Sequence, residues 1–304
     1  PDKKRAPKQS QRCTFGALSY IKTRHPAPFV RAGGSHRKSC SRRFPSFRQP
    51  EGNLSMSGFR LDVLAEYWPL FVEGAAMTIK LTVACVVCGV MLGMLLGMAR
   101  MASARHDPWK SILYYGVRWP VTIWVSFFRG TPLFVQIFLM YFAVLPIFIH
   151  PVDGLIISGS LARELRGSYG ALIAGFLAIS LNAGAYMSEV FRAGIQSLDK
   201  GQSEAARSVG MSYWQCMRHI ILPQAFRRML PALGNNAIAI LKDSSLVSAI
   251  GLTELAYAAR TVAGASARYW EPYLTISIMY WVMTLGLAWL IRLLEQRLGK
   301  GDDK

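Results

Sequence analysis

Two groups of residues in this chain carry polar chemistry where the sequence around them is apolar. Asn182, Ala185, Tyr186 and Glu189 are spaced by three and four, so a helix would place them on one face. Asn235, Asn236, Lys242, Asp243, Ser244 and Ser245 form the second group. An amide, phenol and carboxylate on one face can meet a polar solute or a neighbouring helix. An ion inside a bilayer costs about 2.5–3.5 kcal/mol at the centre, so it faces protein or water. Lys242 and Asp243 are adjacent and cannot share a face. Two readings stand for them: lining a path, or pairing with a neighbouring helix. Cys85 and Cys88 form C-x-x-C, but inside an apolar run without further ligands, which fits small buried side chains better than redox or metal chemistry. No phosphate loop, G-x-S-x-G or H-E-x-x-H occurs, so no catalytic residue, metal site or bound cofactor is expected.

The elements that must hold these groups follow from hydropathy. The chain has 304 residues, 52% hydrophobic and 17% charged, against about a quarter charged in soluble domains. A bilayer core of about 30 Å takes about 20 helical residues. Leu81–Ala99, Gly130–Val152, Gly167–Ser188 and Pro272–Ile291 are free of charge. Met229–Thr253 is as long, but contains Lys242 and Asp243. Lipid leaves no backbone group unpaired, so these stretches are expected as five transmembrane helices of an all-α integral membrane protein. The spans fall near residues 78–99, 130–150, 167–189, 229–253 and 272–292. Gly170, Ala174, Gly175, Ala178, Ala183 and Gly184 would let other helices approach the third closely. Arg129 stands before Gly130-Thr131-Pro132, where it can mark the membrane boundary.

Basic residues orient the spans. Arg100, Arg105, Lys110, Arg118 and Arg129 fall between the first and second, and Arg192, Lys200, Arg207, Arg218, Arg227 and Arg228 between the third and fourth. Those loops are expected in the cytoplasm, with the N-terminus outside and the C-terminus inside. Net charge is +18, and residues 1–55 supply +11 of it, with 13 Lys+Arg against Asp2 and Glu51. This segment is too polar to bury a core, so disorder is expected. An Arg- and Ser-rich, acid-poor segment fits a transit peptide or a nucleic-acid tail. It contains no Met, and the first is Met56. We therefore expect an extension from an upstream start, no nucleic-acid partner, and a transmembrane domain over 56–304.

The loop after the third span is the most specific feature. Gln202–Ser208 should form a short helix with Ser203 as its cap. Gly210 can take a positive φ and end it. Met211–Ile221 should resume a helix that Pro223 breaks or kinks. A short helix between two bends suits a groove on a partner.

That loop, Glu204-Ala205-Ala206, then Gly210, Ile220 and Leu222-Pro223, matches E-A-A-x3-G-x9-I-x-L-P at every defining position. It resembles the signature loop of permease subunits of ATP-binding cassette importers. "AGAYMSEVFRAGIQSLDKGQSEAARSVGM", "LPQAFRRMLPALGNNAIAILKDSSLVSAI" and "FFRGTPLFVQIFLMYF" are similar to the polar amino-acid permeases of the histidine, glutamine, glutamate and arginine group. The likeness runs from about Glu73 to about Gln296. It implies a type I importer permease-like fold in a bacterial inner membrane, with the loop as a cytoplasmic coupling helix. It implies a cytoplasmic ATPase dimer that uses ATP and Mg, a second permease subunit, the same or related, and an extracytoplasmic amino-acid-binding protein. Polar residues of the third and fourth spans would line the path. An importer of another small solute is the alternative; a channel or secondary transporter would usually show more spans and inverted repeats.

Overall fold

The structure is a computed structural model that describes residues 61–101 and 108–299; the expected basic extension over 1–55 lies outside the described residues. The first helix, α1 (Leu61–Met101), starts well before its charge-free stretch. Next come α2 (Pro108–Gly130), α3 (Leu133–Leu139) and α4 (Leu145–Phe148). A long helix, α5 (Gly159–Gln196), leads to α6 (Lys200–Ser208) and α7 (Tyr213–Cys216). Then α8 (Leu222–Asp243), α9 (Leu255–Ser266) and α10 (Trp270–Gly299) complete the order. Among the described residues, α1, α5 and α10 are long and apolar enough to cross a membrane. A fourth crossing is counted if α2 and α3–α4, bent by 111° at Thr131–Pro132, act as one.

The main packing is α1 along α5. Gly89, Gly93 and Gly97 form a four-residue stripe on α1. Ala183, Met187 and Phe191 form the matching stripe on α5. A Cβ added at the three glycines would lie 2.8, 2.6 and 3.1 Å from the Cβ atoms of those residues. Absent side chains on α1 thus admit side chains from α5. A second core joins the N-terminal half of α1 to α9 and α10 through Phe71, Leu255, Ala259, Val262 and Ile276. Many other apolar side chains stay uncovered, including Trp281, Val282, Leu285 and Trp289 on α10. Lipid-facing helices are apolar on such outer faces.

Two expectations about continuity change. The stretch 229–253 is not one helix. After Asp243 the chain tightens into a 3-10 segment, Ser244–Ile250, closed by Gly251 at φ +91. Ser244, Ser245 and Ser248 each donate a hydroxyl to the carbonyl three residues back, at 2.7–2.8 Å. Such back-bonds compete with the α-helical ladder, and the tighter turn accommodates them. Pro223 does not break its helix. A π segment, Met217–Ile221, precedes it, and the Leu222 N–H reaches back five residues to Met217. This shift of register absorbs the missing proline donor. The same device, Met140–Val144 with Leu145 N–H on Met140, precedes Pro146.

Candidate functional site

The segment after α5 is built by its caps. Asp199, rather than Ser203, caps α6: its carboxylate accepts from the Gly201 N–H at 2.9 Å. The Ser203 hydroxyl instead donates to the Lys200 carbonyl. The aspartate sits one residue ahead of the helix, where its charge also meets the positive end of the dipole. At the other end Gly210 takes φ +81. Its N–H bonds the Arg207 carbonyl at 2.9 Å, and Met211 N–H bonds the Ala206 carbonyl at 3.0 Å. This reciprocal pair is a Schellman stop. Ser212 then starts α7 through a capping box with Gln215.

The result is a two-sided projection. Ala206 is buried with Leu198, Cys216 and Ile221. Glu204, Ala205, Val209 and Trp214 are exposed. Ile220 and Leu222 are half-buried, and Pro223 is exposed. A cleft of about 440 Å³ behind α6 is bordered by Asp199, Ser203, Arg207, Tyr213 and Met217. Arg228 of α8 donates to the carbonyl of Ser197, the residue that ends α5.

The polar face of α5 is brought together as its spacing predicts, but each member already has a protein partner. Asn182 Nδ2 donates to the Phe128 carbonyl and to Gln136 Oε1, both at 3.0 Å. Gln136 is buried, and its Nε2 donates to Phe128 O, Thr131 O and Thr131 Oγ1. These two amides clamp the bend between α2 and α3. Tyr186 lies beneath the Arg129 guanidinium, 5.6 Å from the ring centre. Glu189 receives three arginines: Arg100 at 2.7 Å, Arg129 at 3.0 Å and Arg192 at 2.9 Å. Three helices therefore meet on one carboxylate.

The α8 group is arranged differently. Asn235 and Lys242, seven residues apart, are exposed on one face. Asn236 and Asp243 are half-buried, and Ser244 is buried on the Leu241 carbonyl. Among the described residues, no side-chain hydrogen bond or ion pair joins this group to the α5 face.

Sequence reasoning missed Gln136, Arg228 and Glu254. A search for charge passes over a neutral amide such as Gln136. Glu254 is fully buried and caps α9 by accepting from Tyr257 N–H at 2.8 Å. It also accepts from Tyr280 Oη at 2.8 Å and Thr78 Oγ1 at 3.4 Å, tying α1 and α10 to that cap. It stands one residue past the fourth apolar stretch, where a charge looks like a boundary marker.

The family described as "Binding-protein-dependent transport system inner membrane component" matches residues 89–300, and the chain belongs to that family. The arginine transport system permease protein ArtQ of Bacillus subtilis is 32% identical, over 77% of this chain and 94% of its own. The glutamate/aspartate import permease protein GltK of Escherichia coli O6:H1 is 35% identical, over 75% and 93%. A crystal structure of an amino acid ABC transporter with histidines matches with a TM-score of 0.65 and 35% identity, over 79% of this chain and 99% of that one. The inward-facing MetNI methionine ABC transporter shares the fold, with a TM-score of 0.57 at 19% identity. The fold is that of a type I importer permease. Within the family this is a polar amino-acid permease, a multi-pass inner-membrane subunit of an ATP-binding cassette importer whose ATPase is a separate subunit.

Proposed function

We propose that this subunit forms one half of a path for a polar amino acid delivered by an extracytoplasmic binding protein. Residues 56–304 make the permease domain, with five membrane passages once α8 and the bent α2–α4 unit are counted. The N-terminus lies outside and the C-terminus in the cytoplasm. A second permease subunit, identical or related, completes the path. Arginine, glutamate/aspartate and cystine in the names of its relatives mark the range of polar substrates.

Coupling runs through residues 204–223. The supporting observation is the shape of α6, held rigidly by the Asp199 cap and the Gly210 stop while Glu204, Ala205, Val209 and Trp214 face outward. Exposed apolar groups beside a short rigid helix suit a groove on a partner. Glu204, Ala205, Ala206 and Gly210 supply the docking turn, and Ile220, Leu222 and Pro223 carry its motion into α8. ATP and Mg act in the partner ATPase dimer, and this chain holds no cofactor. ATP closes that dimer and shifts the path outward because the dimer grips the two α6 helices differently in each state. Of the polar residues, Asn235, Asn236, Lys242 and Asp243 on α8 are the better candidates for the path, while Ser244 is buried on the Leu241 carbonyl. On α5, Asn182, Tyr186 and Glu189 border the path while serving as structural clamps.

The test is uptake of a panel of radiolabelled amino acids into proteoliposomes holding both permease subunits, the ATPase and the binding protein. Saturable, ATP-dependent uptake of one polar amino acid is expected, unchanged when residues 1–55 are removed. Uptake of none, with the complex assembled, would favour an importer of another small solute.

A further inference from the structure

Beside the Glu189 hub lies a polar cleft that the proposed path does not use. It is a cleft of about 560 Å³ between α2 and the C-terminal ends of α1 and α5. Arg100, Arg118 and Arg192 border it, with Thr122 and the aromatic pair Tyr115 and Trp119. Its volume falls in the range of small-molecule sites, about 300–1,000 Å³.

Its described lining is basic. Arg100, Arg129 and Arg192 all bond one carboxylate, Glu189. Among the described residues those four groups carry a net charge of +2, and Arg118, which has a contact of its own, borders the same cleft. The Arg100 side chain is only 16% exposed. A partly buried excess of positive charge favours an anion among guanidiniums, whose donors suit phosphate oxygens in pairs. The cleft also sits at a boundary: Arg100 ends the charge-free stretch Leu81–Ala99. Tyr115 and Trp119 are exposed at its edge, 56% and 63%. Amphipathic aromatic rings collect at the headgroup level of a bilayer, and basic pockets between membrane helices take anionic headgroups.

We infer that the Arg100–Arg118–Arg192 cleft binds a phosphate-bearing anion, with Thr122 as a further donor and Tyr115 and Trp119 against its apolar part. The phosphate comes from an anionic lipid headgroup or from a soluble phosphate, and one experiment separates them. The permease–ATPase complex is placed in nanodiscs of phosphatidylcholine doped with phosphatidylglycerol. Lipid retained through mild delipidation is counted by native mass spectrometry.

The wild type should retain phosphatidylglycerol over phosphatidylcholine by about tenfold, the worth of a charge-assisted hydrogen bond. Raising the salt should reduce that preference. Arg192→Gln and Arg118→Gln should each reduce it several-fold, Arg192→Lys less, and Arg292→Gln on α10 not at all. The salt response of the wild type keeps the test decisive if a variant fails to assemble. Displacement of the lipid by millimolar inorganic phosphate would assign the site to a soluble phosphate. Displacement by the transported amino acid would overturn the inference and give the cleft to the substrate. Equal retention of both lipids without displaceable phosphate, or retention insensitive to salt and to both glutamine variants, would also overturn it.

Discussion

Arg228 of α8 donates from Nη1 to the main-chain oxygen of Ser197, 2.6 Å away, at the point where α5 ends. Asp199, two residues further on, caps α6. A cation on the negative end of α5 is favourable for that helix, and it ties the root of the proposed coupling helix to α8. In the proposed coupling, movement of α6 would reach α8 by this bond as well as along the chain through α7.

Arg228→Gln should therefore loosen coupling more than assembly. The bond is exposed, so its loss is worth about 1 kcal/mol. The ratio of amino acid imported to ATP hydrolysed should fall a few-fold while the ATPase still co-purifies. An unchanged ratio would reduce Arg228 to an ornament of the surface.

Glu189→Gln should act on stability and on transport together. It leaves Arg100, Arg129 and Arg192 without their shared carboxylate. Breaking a buried pair costs about 3–5 kcal/mol. With Glu189 21% exposed, solvent screening brings this to about 1–3 kcal/mol. The thermal midpoint of the complex should drop, and uptake should fall alike for every amino acid it carries. Selective loss of a cationic substrate at unchanged stability would instead place this carboxylate on the substrate.

Gly93→Val tests the contact between α1 and α5. The added Cβ alone would lie 2.6 Å from Met187 Cβ and 3.0 Å from backbone atoms of α5. Overpacking of this kind costs about 1–3 kcal/mol, and backbone atoms cannot swing aside. The yield of folded permease in detergent should fall. Gly116→Ala on α2 meets nothing within 4 Å and should be tolerated. Equal yields for the two variants would contradict the close approach.

Much of this arrangement could be read from residue types. Gly210 announced the end of a helix because few other residues accept a positive φ, and the backbone places it at +81°. The four- and three-residue spacings of Asn182, Tyr186 and Glu189 gave a shared face. What lay beyond reach was the partner of each group. Spacing along α5 says nothing of Arg100, 89 residues away, or of the Phe128 carbonyl freed by a bend. Hydropathy treats the serines of 244–248 as mildly polar, whereas their hydroxyls decide where α8 stops being α-helical. Pro223 argued for a break because a proline removes a donor, but a π turn can supply a different register. Glu254 looked like an edge residue until α1 and α10 closed over it.

In the proposed coupling, α6 docks on the ATPase in a shape set by Gly210. An added Cβ there meets nothing within 4 Å, so any effect of substitution comes from the backbone at φ +81. A β-branched residue pays about 1–2 kcal/mol for that conformation, and asparagine visits it more readily. The measurement is ATP-driven uptake in proteoliposomes, with ATPase co-purification, for Gly210→Val and Gly210→Asn. Loss of uptake and weakened ATPase retention in the valine variant, with most of both kept by asparagine, is the expected result. Full uptake and normal retention with valine would contradict it.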